Sequence, residues 1–332
     1  MKEKLIDLFL ENKGFIHQNL ELKKNNLKGF YFVTNEEIKK DTILINVPKE
    51  LLIPVDKIKS LKKFNNNFEE VYFDLILKNS QYLDGHPLNC KITEYNEIKN
   101  ALKNNENLSR HFKMLYEEFN LLNNEEKIIK LFELTRSFFS NKFQKKIFMP
   151  VMDFVNHDEH GTNFMTGDNS NIYIKSNKVL KKNDEILVNY THTDPITFYL
   201  KQGFINDDFN SFIIKKNELT FSTNKDMKVD ERYFLKIGDK IKFKEHIDFK
   251  KNRISKNITN LMKIFPSDRK LINMINVLNY YKSTVKYDEK MLHRNKDSII
   301  IKNFCKSIKL YHTVIDHYSK IISNLPNKHE KN

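Results

Sequence analysis

Several short stretches of this sequence carry side chains able to hold or move charge at an organic ligand. Midway along the chain, Pro150-Val-Met-Asp-Phe-Val-Asn-His-Asp places Asp153, Asn156 and His157 after a Pro-headed apolar run. Taken alone, an Asn-His pair reads as readily as a turn or a helix cap. Upstream, Thr135-Arg136 sets a guanidinium inside an apolar helical pattern, where burial is costly unless a carboxylate or another acceptor meets it. Downstream, Val179 to Tyr190 is a polar turn feeding a strand that ends in Tyr190, a phenol that can both donate and accept. Gly203-Phe204 follows shortly after. His157, His160, Asp153 and Asp158 have a spacing that would let them converge on a metal, but no second cluster supports it, and no metal is expected. Structural readings compete at each position: Tyr190 as a packing aromatic at a strand end, Arg136 as half of a structural ion pair.

The elements that must position these groups follow from periodicity. Leu5, Ile6, Leu8, Phe9 and Leu10 predict a short amphipathic helix that Gly14 terminates. Leu20-Glu-Leu, Gly29 to Thr34 and Ile43 to Pro48 are short β-branched or aromatic segments between polar turns, so they predict strands. From Val55 to Phe143 the apolar residues recur at helical spacing, as in Phe68, Val71, Tyr72, Leu75 and Ile76, and again from Ile128 to Phe138. Strand signals return at Asn171 to Lys175 and Glu185 to Tyr190. After Asn206-Asp-Asp-Phe-Asn, a short β-prone stretch at Ser211 to Ile214 and Leu219 to Phe221 leads into long helical runs at Leu271 to Leu278 and Ile299 to Ile322.

Composition sets the outer limits. A chain of 332 residues can build two domains, each with its own core. Seven glycines and seven prolines disfavour an all-β architecture, and 26 phenylalanines carry much of the burial. Two cysteines, Cys90 and Cys305, imply neither a disulfide framework nor a four-thiolate zinc site, which suits a reducing cytosol. The N-terminal apolar positions are interrupted by acids, unlike a signal peptide, and no later segment approaches a membrane span. The net charge of +14 is dispersed along the chain, as on a solvated surface, rather than gathered into a polyanion site.

Taken in order, these segments resemble the SET-domain methyltransferases, in the branch that holds the Rubisco large-subunit lysine methyltransferase and the actin-histidine methyltransferase. Gly29-Phe-Tyr-Phe-Val-Thr through Ile43-Leu-Ile-Asn-Val-Pro looks like that branch's opening Gly-x-Gly strand and apolar run ending in Val-Pro. Thr135 to Phe138 is similar to its Ser/Thr-Arg-x-Phe, and Pro150 to His157 to its Pro-x-x-Asp-x-x-Asn-His. Asn183 to Tyr190 is similar to its Gly-Glu-x-Ile-x-Ile-x-Tyr, and Gln202-Gly-Phe204 to its Tyr-Gly-Phe. Leu278-Asn-Tyr-Tyr-Lys-Ser-Thr, with Asp288, Glu289 and Leu292, looks like its helical substrate-binding domain. The chain departs from the pattern at Tyr31, where the second glycine stands, at Pro195, where an Asn stands, and at Gln202.

The resemblance implies an α+β fold. A SET core of residues 1–54 and 130–207 would enclose a helical insert of 55–129, and a mainly helical substrate-binding domain would span 208–332. It implies S-adenosylmethionine as cofactor, with Lys28, Gly29, Phe30, Arg136, Asn156, His157 and Phe204 around it, Asp153 toward the substrate and Tyr190 as the catalytic group. The implied activity is methyl transfer to a lysine, with histidine the other choice, of a non-histone protein such as a ribosomal or other cytosolic protein. The expected chain is cytoplasmic and monomeric, with no membrane and no nucleic acid among its partners. Two other readings stay open: a catalytically silent SET-like module that binds peptides, and a basic nucleic-acid-binding protein.

Overall fold

The computed structural model describes residues 2–25, 29–58, 64, 66–78, 84–190, 193–207, 209, 211–214, 220–222, 234–237, 240–243, 247–250, 253–254 and 270–324, with backbone alone between 213 and 273. The chain forms two compact units. The first gathers residues 1–89, 115–191 and 201–203; the second gathers 90–114, 192–200 and 204–332. Residues 55–129, read from sequence as one helical insert, are thus shared between both.

The first unit opens with helix α1 (Lys2–Glu11), which buries Leu5 and Phe9. The chain reverses at Gly14, whose N–H donates to the Phe9 carbonyl at 2.8 Å. A Cβ at Gly14 would lie 2.4 Å from the Phe9 ring, so the turn requires glycine. Strands β1 (Phe15–Ile16), β2 (Leu20–Asn25), β3 (Gly29–Thr34), β4 (Ile43–Val47) and β5 (Ile53–Pro54) follow. Strands β2 and β3 form an antiparallel hairpin in register from Leu20 opposite Thr34 to Asn25 opposite Gly29. Period-2 alternation turns Phe30 and Phe32 inward and leaves Gly29 and Tyr31 on the more open face.

Helix α2 (Asn67–Leu77) is capped by Asn66, whose side chain accepts from the Glu69 N–H at 2.9 Å. Its inward face buries Phe68, Tyr72, Phe73, Leu75 and Ile76. Helices α3 (Ile92–Leu102), α4 (Glu106–Asn120) and α5 (Asn124–Arg136) come next, the last with a reciprocal capping box between Asn123 and Glu126. From sequence, α5 was expected to run to Phe138 with Arg136 inside it. The helix instead ends at Arg136 and passes directly into β6 (Ser137–Ser140), which pairs with β7 (Lys145–Phe148). The Thr135 hydroxyl bonds back to the Leu131 carbonyl and that of Ser137 to Glu133, while two phenylalanines after Ser137 favour extended backbone.

Strands β8 (Asn156–Thr162), β9 (Met165–Thr166), β10 (Ile172–Lys175) and β11 (Leu187–Val188) complete the unit. One antiparallel sheet runs β1-β4-β10-β9 and another β5-β7-β6. Strands β8 and β11 pair in parallel with an abrupt shift: Leu187 faces Asn156, but the next residue, Val188, faces Thr162. The intervening residues His157 to Gly161 therefore leave the ladder. Gly161 makes this possible, because a Cβ there would sit 2.6 Å from the Val188 backbone.

Helix α6 (Pro195–Gln202), whose first six residues belong to the second unit and whose last two belong to the first, begins with proline at its first helical position. Asp194 caps it, accepting from the Ile196 and Thr197 N–H groups at 3.0 and 2.8 Å. The stretch from 212 to 254, expected to lead quickly into helix, holds two three-stranded antiparallel sheets. They comprise β12 (Phe212–Ile214), β13 (Thr220–Ser222), β14 (Phe234–Ile237), β15 (Lys240–Phe243), β16 (Ile247–Lys250) and β17 (Arg253–Ile254), ordered β12-β16-β17 and β13-β15-β14. The alternation of apolar and polar residues in Leu235-Lys-Ile, Ile241-Lys-Phe and Ile247-Asp-Phe-Lys carries that signal. Helices α7 (Lys270–Thr284), α8 (Glu289–Arg294) and α9 (Ile299–Ser323) end the described chain. Along α9, Ile301, Phe304, Ile308, Tyr311, Ile315, Tyr318 and Ile322 form one buried stripe.

Candidate active site

The irregular junction of β8 and β11 gathers three of the sequence-predicted residues, Asn156, His157 and Tyr190. After the short helical turn Met152–Phe154, which Val155 ends, Asn156 opens β8, and its Nδ2 donates to the Glu185 carboxylate at 2.7 Å. Glu185 in turn bridges to Val33 of β3, and Ile186 donates to the Phe32 carbonyl at 2.9 Å. The hairpin that begins at Gly29 is thereby tied to the strand that leads to Tyr190. Across the same gap, Phe30 packs on Phe154 with ring centroids 5.3 Å apart.

Tyr190 is held from both ends. Its backbone N–H donates to His157 Nδ1 at 3.1 Å, its hydroxyl donates to the Val155 carbonyl at 2.7 Å, and its ring lies 5.2 Å from the imidazole. With its proton used on Val155, the phenol oxygen presents acceptor lone pairs. The adjoining Asn189 is fixed as well, its Nδ2 on the Glu159 carbonyl at 3.0 Å and its N–H on Thr162 at 2.8 Å.

Beside Tyr190 lies an open cleft lined by Thr135, Arg136, Ser137, Phe138, Met149, Asp153, Phe164, Tyr190, Lys201 and Gln202. Phe138 and Phe164, 5.5 Å apart, and Met149 make its apolar walls. The Thr135 and Ser137 hydroxyls are bonded to their own helix, so the polar chemistry comes from the other five residues. Asp153 is buried against Tyr72, whose hydroxyl donates to Oδ2 in a short bond. Arg136 Nη1 donates to the Asp153 carbonyl oxygen at 3.1 Å and stands 3.7 Å from Oδ2. Burial pushes the Asp153 carboxyl up to about 6, against the pull of Arg136 and Tyr72 in the other direction. Arg136, the last residue of α5, also meets the negative end of that helix.

Lys201 and Gln202, the last residues of α6, line the cleft and are followed by Gly203. Gly203 has φ +78°, and a Cβ there would approach His86 Cδ2 to 2.7 Å. His86 is fully buried: its Nδ1 accepts from the Leu88 N–H at 3.2 Å, which leaves Nε2–H to donate to the Lys201 carbonyl at 3.1 Å. Burial lowers its pKa to about 4, so the imidazole is neutral at physiological pH. The Lys201 ammonium is also pushed down, by burial and then by Lys146.

Gly29 has φ +73°, and among the described residues nothing lies within 4 Å of where a Cβ would stand at this start of β3. Lys28 lies outside the described residues. Phe204 falls in the second unit, where it packs edge-on against Phe198 at 5.3 Å beside a cluster with Ile205 and Phe209. Arg136 was read as a ligand for a cofactor carboxylate; in the structure it sits on Asp153. The four residues once considered for a metal are otherwise engaged or apart: Asp158 accepts from the His160 N–H at 2.7 Å, and among the described residues no three His, Cys, Asp or Glu side chains converge as metal ligands. Sequence reasoning missed Tyr72, indistinguishable there from the core stripe of α2, and His86, a lone histidine in a loop.

Residues 29–191 match the family described as the SET domain. No curated protein matches the chain. Among solved structures, the SET domain of LSMT bound to lysine and AdoHcy superposes with a TM-score of 0.57 at 12% identity, covering 97% of this chain and 91% of that one. Rubisco LSMT bound to sinefungin and monomethyllysine gives 0.52 at 13% identity, with the same coverage.

Proposed function

Residues 29–191 of this chain are a SET domain, and from that premise we propose that the protein is an S-adenosylmethionine-dependent methyltransferase acting on lysine side chains of other proteins. The observation that carries this reading is the joint fixation of Tyr190 by His157 and Val155 at the rim of a cleft with apolar walls and a buried carboxylate. The similar structures hold lysine or monomethyllysine beside a cofactor product or analogue, which supports the same pairing here.

The residues present fit the cofactor. The bare backbone at Gly29 leaves room for a close approach, and Asn156 and His157 stand on the neighbouring segment joined to it through Glu185. With Phe30 they are proposed to hold the cofactor; Lys28 and Phe204 keep the role that the family resemblance gives them. When bound, S-adenosylmethionine supplies an electrophilic methyl group on a sulfonium. The rest is alignment and electrostatics by the chain itself. The phenol oxygen of Tyr190, its hydrogen already given to Val155, offers lone pairs to the polarised methyl and to the target nitrogen. Phe138, Phe164 and Met149 accommodate the methylenes of a lysine and exclude water from its amine. Such a surrounding favours the neutral amine, which is the nucleophile. Asp153 is proposed to attract the incoming ammonium, and Arg136 to hold Asp153 in place.

The proposed target is a cytosolic protein and the proposed working form a cytoplasmic monomer. Two buried cysteines, neither in a disulfide, support a reducing compartment. The test is incubation of the purified protein with labelled S-adenosylmethionine and a host-cell lysate, followed by mass spectrometry of labelled bands. Label on lysine is the expected result. Absence of transfer, with no calorimetric binding of S-adenosylmethionine, would leave the silent peptide-binding module as the better reading.

A further inference from the structure

Two residues that line the cleft, Asp153 and Gln202, each carry a buried oxygen, Oδ1 and Oε1, with no hydrogen-bond partner among the described residues. Gln202 is 5% exposed, so water gives its oxygen little relief. An amide oxygen left in that condition is destabilising and would ordinarily turn toward a donor. The backbone on either side of Gln202 is tied to one buried imidazole: the Lys201 carbonyl bonds to His86, and Gly203 packs on the same ring in a left-handed conformation. A buried acceptor on a residue that lines the cleft together with Tyr190 is suited to a donor that arrives with the ligand.

We propose that Gln202 Oε1 accepts a hydrogen bond from an N–H of the target amine and so makes the cleft sensitive to how many methyl groups that nitrogen already carries. The inference rests on the methyltransferase reading for the identity of the ligand, and on the cleft alone for the chemistry of the contact. A protonated lysine amine carries three N–H bonds, and each methyl group replaces one. Trimethyllysine keeps the positive charge and has none. Asp153 responds to charge, which every form retains; Gln202 responds to N–H, which the last form lacks. Lower methylation states are therefore held more tightly. A nitrogen that has received methyl groups loses its hold on the cleft and is released in preference to another round.

The experiment titrates the full chain with Nα-acetyl-lysine methylamide and with its ε-trimethyl counterpart, by calorimetry or ligand-observed NMR, in wild type and in Gln202→Leu. Wild type is expected to bind the unmethylated amine at least tenfold more tightly than the trimethylated one. Gln202→Leu should shrink that ratio to threefold or less, with a circular dichroism melt no lower than that of wild type. Gln202→Met is a second isostere of similar length, should the leucine variant fail to fold. A parallel methylation assay should show the product of either variant shifted toward higher methylation states. Equal or undetectable binding of both amines by wild type, or an undiminished ratio in the variants, overturns the inference. Methyl transfer that proceeds without any N–H preference removes only the role of Gln202. An N–H preference without methyl transfer removes only the enzymatic reading.

Discussion

Gly161→Ala separates the geometry of this site from its composition, because it alters no group with a proposed chemical role. The alanine Cβ would fall 2.6 to 2.7 Å from the Val188 N, Cα and C atoms. These are backbone atoms in a paired strand, so no rotamer change relieves the clash. Restoring ordinary contact requires the two segments to part by about 0.8 Å. Val188 lies two residues before Tyr190, and the displaced segment also carries His157. The Tyr190 hydroxyl bond to Val155, now 2.7 Å, would stretch to about 3.5 Å, where little of it remains. Misplacement on that scale costs about 100-fold in rate when catalysis depends on alignment, and overpacking of this kind costs about 1–3 kcal/mol in stability. The assay is the initial rate of methyl transfer to the identified protein substrate at saturating cofactor, with a thermal melt by circular dichroism. A folded variant with kcat within twofold of wild type would refute the claim that the β8–β11 close approach sets the position of Tyr190.

Other outcomes follow from individual groups. Tyr190→Phe should lower kcat by about 10- to 100-fold with calorimetric S-adenosylmethionine affinity nearly unchanged; an unaltered kcat would remove the hydroxyl from the mechanism. The Asp153 carboxyl titrates at about 6 in the fold and ordinarily near 3.8. The native protein thus holds a proton there that the unfolded chain has released, and stability from this group falls as pH rises from 4 to 6, by about 3 kcal/mol. Asp153→Asn should abolish that slope in denaturant titrations, and an unchanged slope would show that Asp153 is not buried as described. His86 has the opposite sign. Its folded pKa of about 4 lies below the ordinary 6.5, so stability is lost as pH falls from 6.5 to 4, again by about 3 kcal/mol. His86→Gln should flatten that limb, and a wild-type acid limb in the variant would contradict the neutral clamp.

Much of the SET core was legible because its elements are short and locally signalled. Gly14 ends α1, the alternation in Gly29 to Thr34 gives β3, and the run at Ile172 gives β10. Tyr190, Asn156 and His157 were found through order and spacing along the chain, and the structure puts Tyr190 against His157 and Asn156 opposite Leu187 at the same strand junction. The hand-over from α5 to β6 was not legible. Both sides of Arg136 are apolar and aromatic, and only the hydroxyls of Thr135 and Ser137, whose partners the sequence does not show, mark the boundary. The partner of Arg136 was equally hidden. The sequence requires that a buried guanidinium be paired, but many acids lie within reach of the chain, and the pairing with Asp153 depends on a turn at Val151 with φ +71° that no glycine announces. The strands between 212 and 254 were missed because their period-2 signal comes in fragments of only a few residues.

The three positions at which the chain departs from its family pattern differ in physical consequence, and the differences can be argued one by one. Pro195 stands where proline is favoured, at the first position of α6, with Asp194 capping the N–H groups that follow. The substitution exchanges one local way of starting that helix for another. Tyr31 shares the more open face of β3 with Gly29 and pairs with Lys23 across the hairpin, while the residues that bury the strand, Phe30 and Phe32, point the other way. Its ring adds bulk beside the bare backbone at Gly29 without entering the core. Gln202 alone puts a new functional group into the cleft. A tyrosine there would bring an aromatic wall and a hydroxyl; glutamine brings a shorter carboxamide whose oxygen is buried and unpaired among the described residues. Burying such an oxygen carries a penalty that an apolar residue would avoid. Of the three departures, it is therefore the one whose cost within the fold calls for a ligand to offset it.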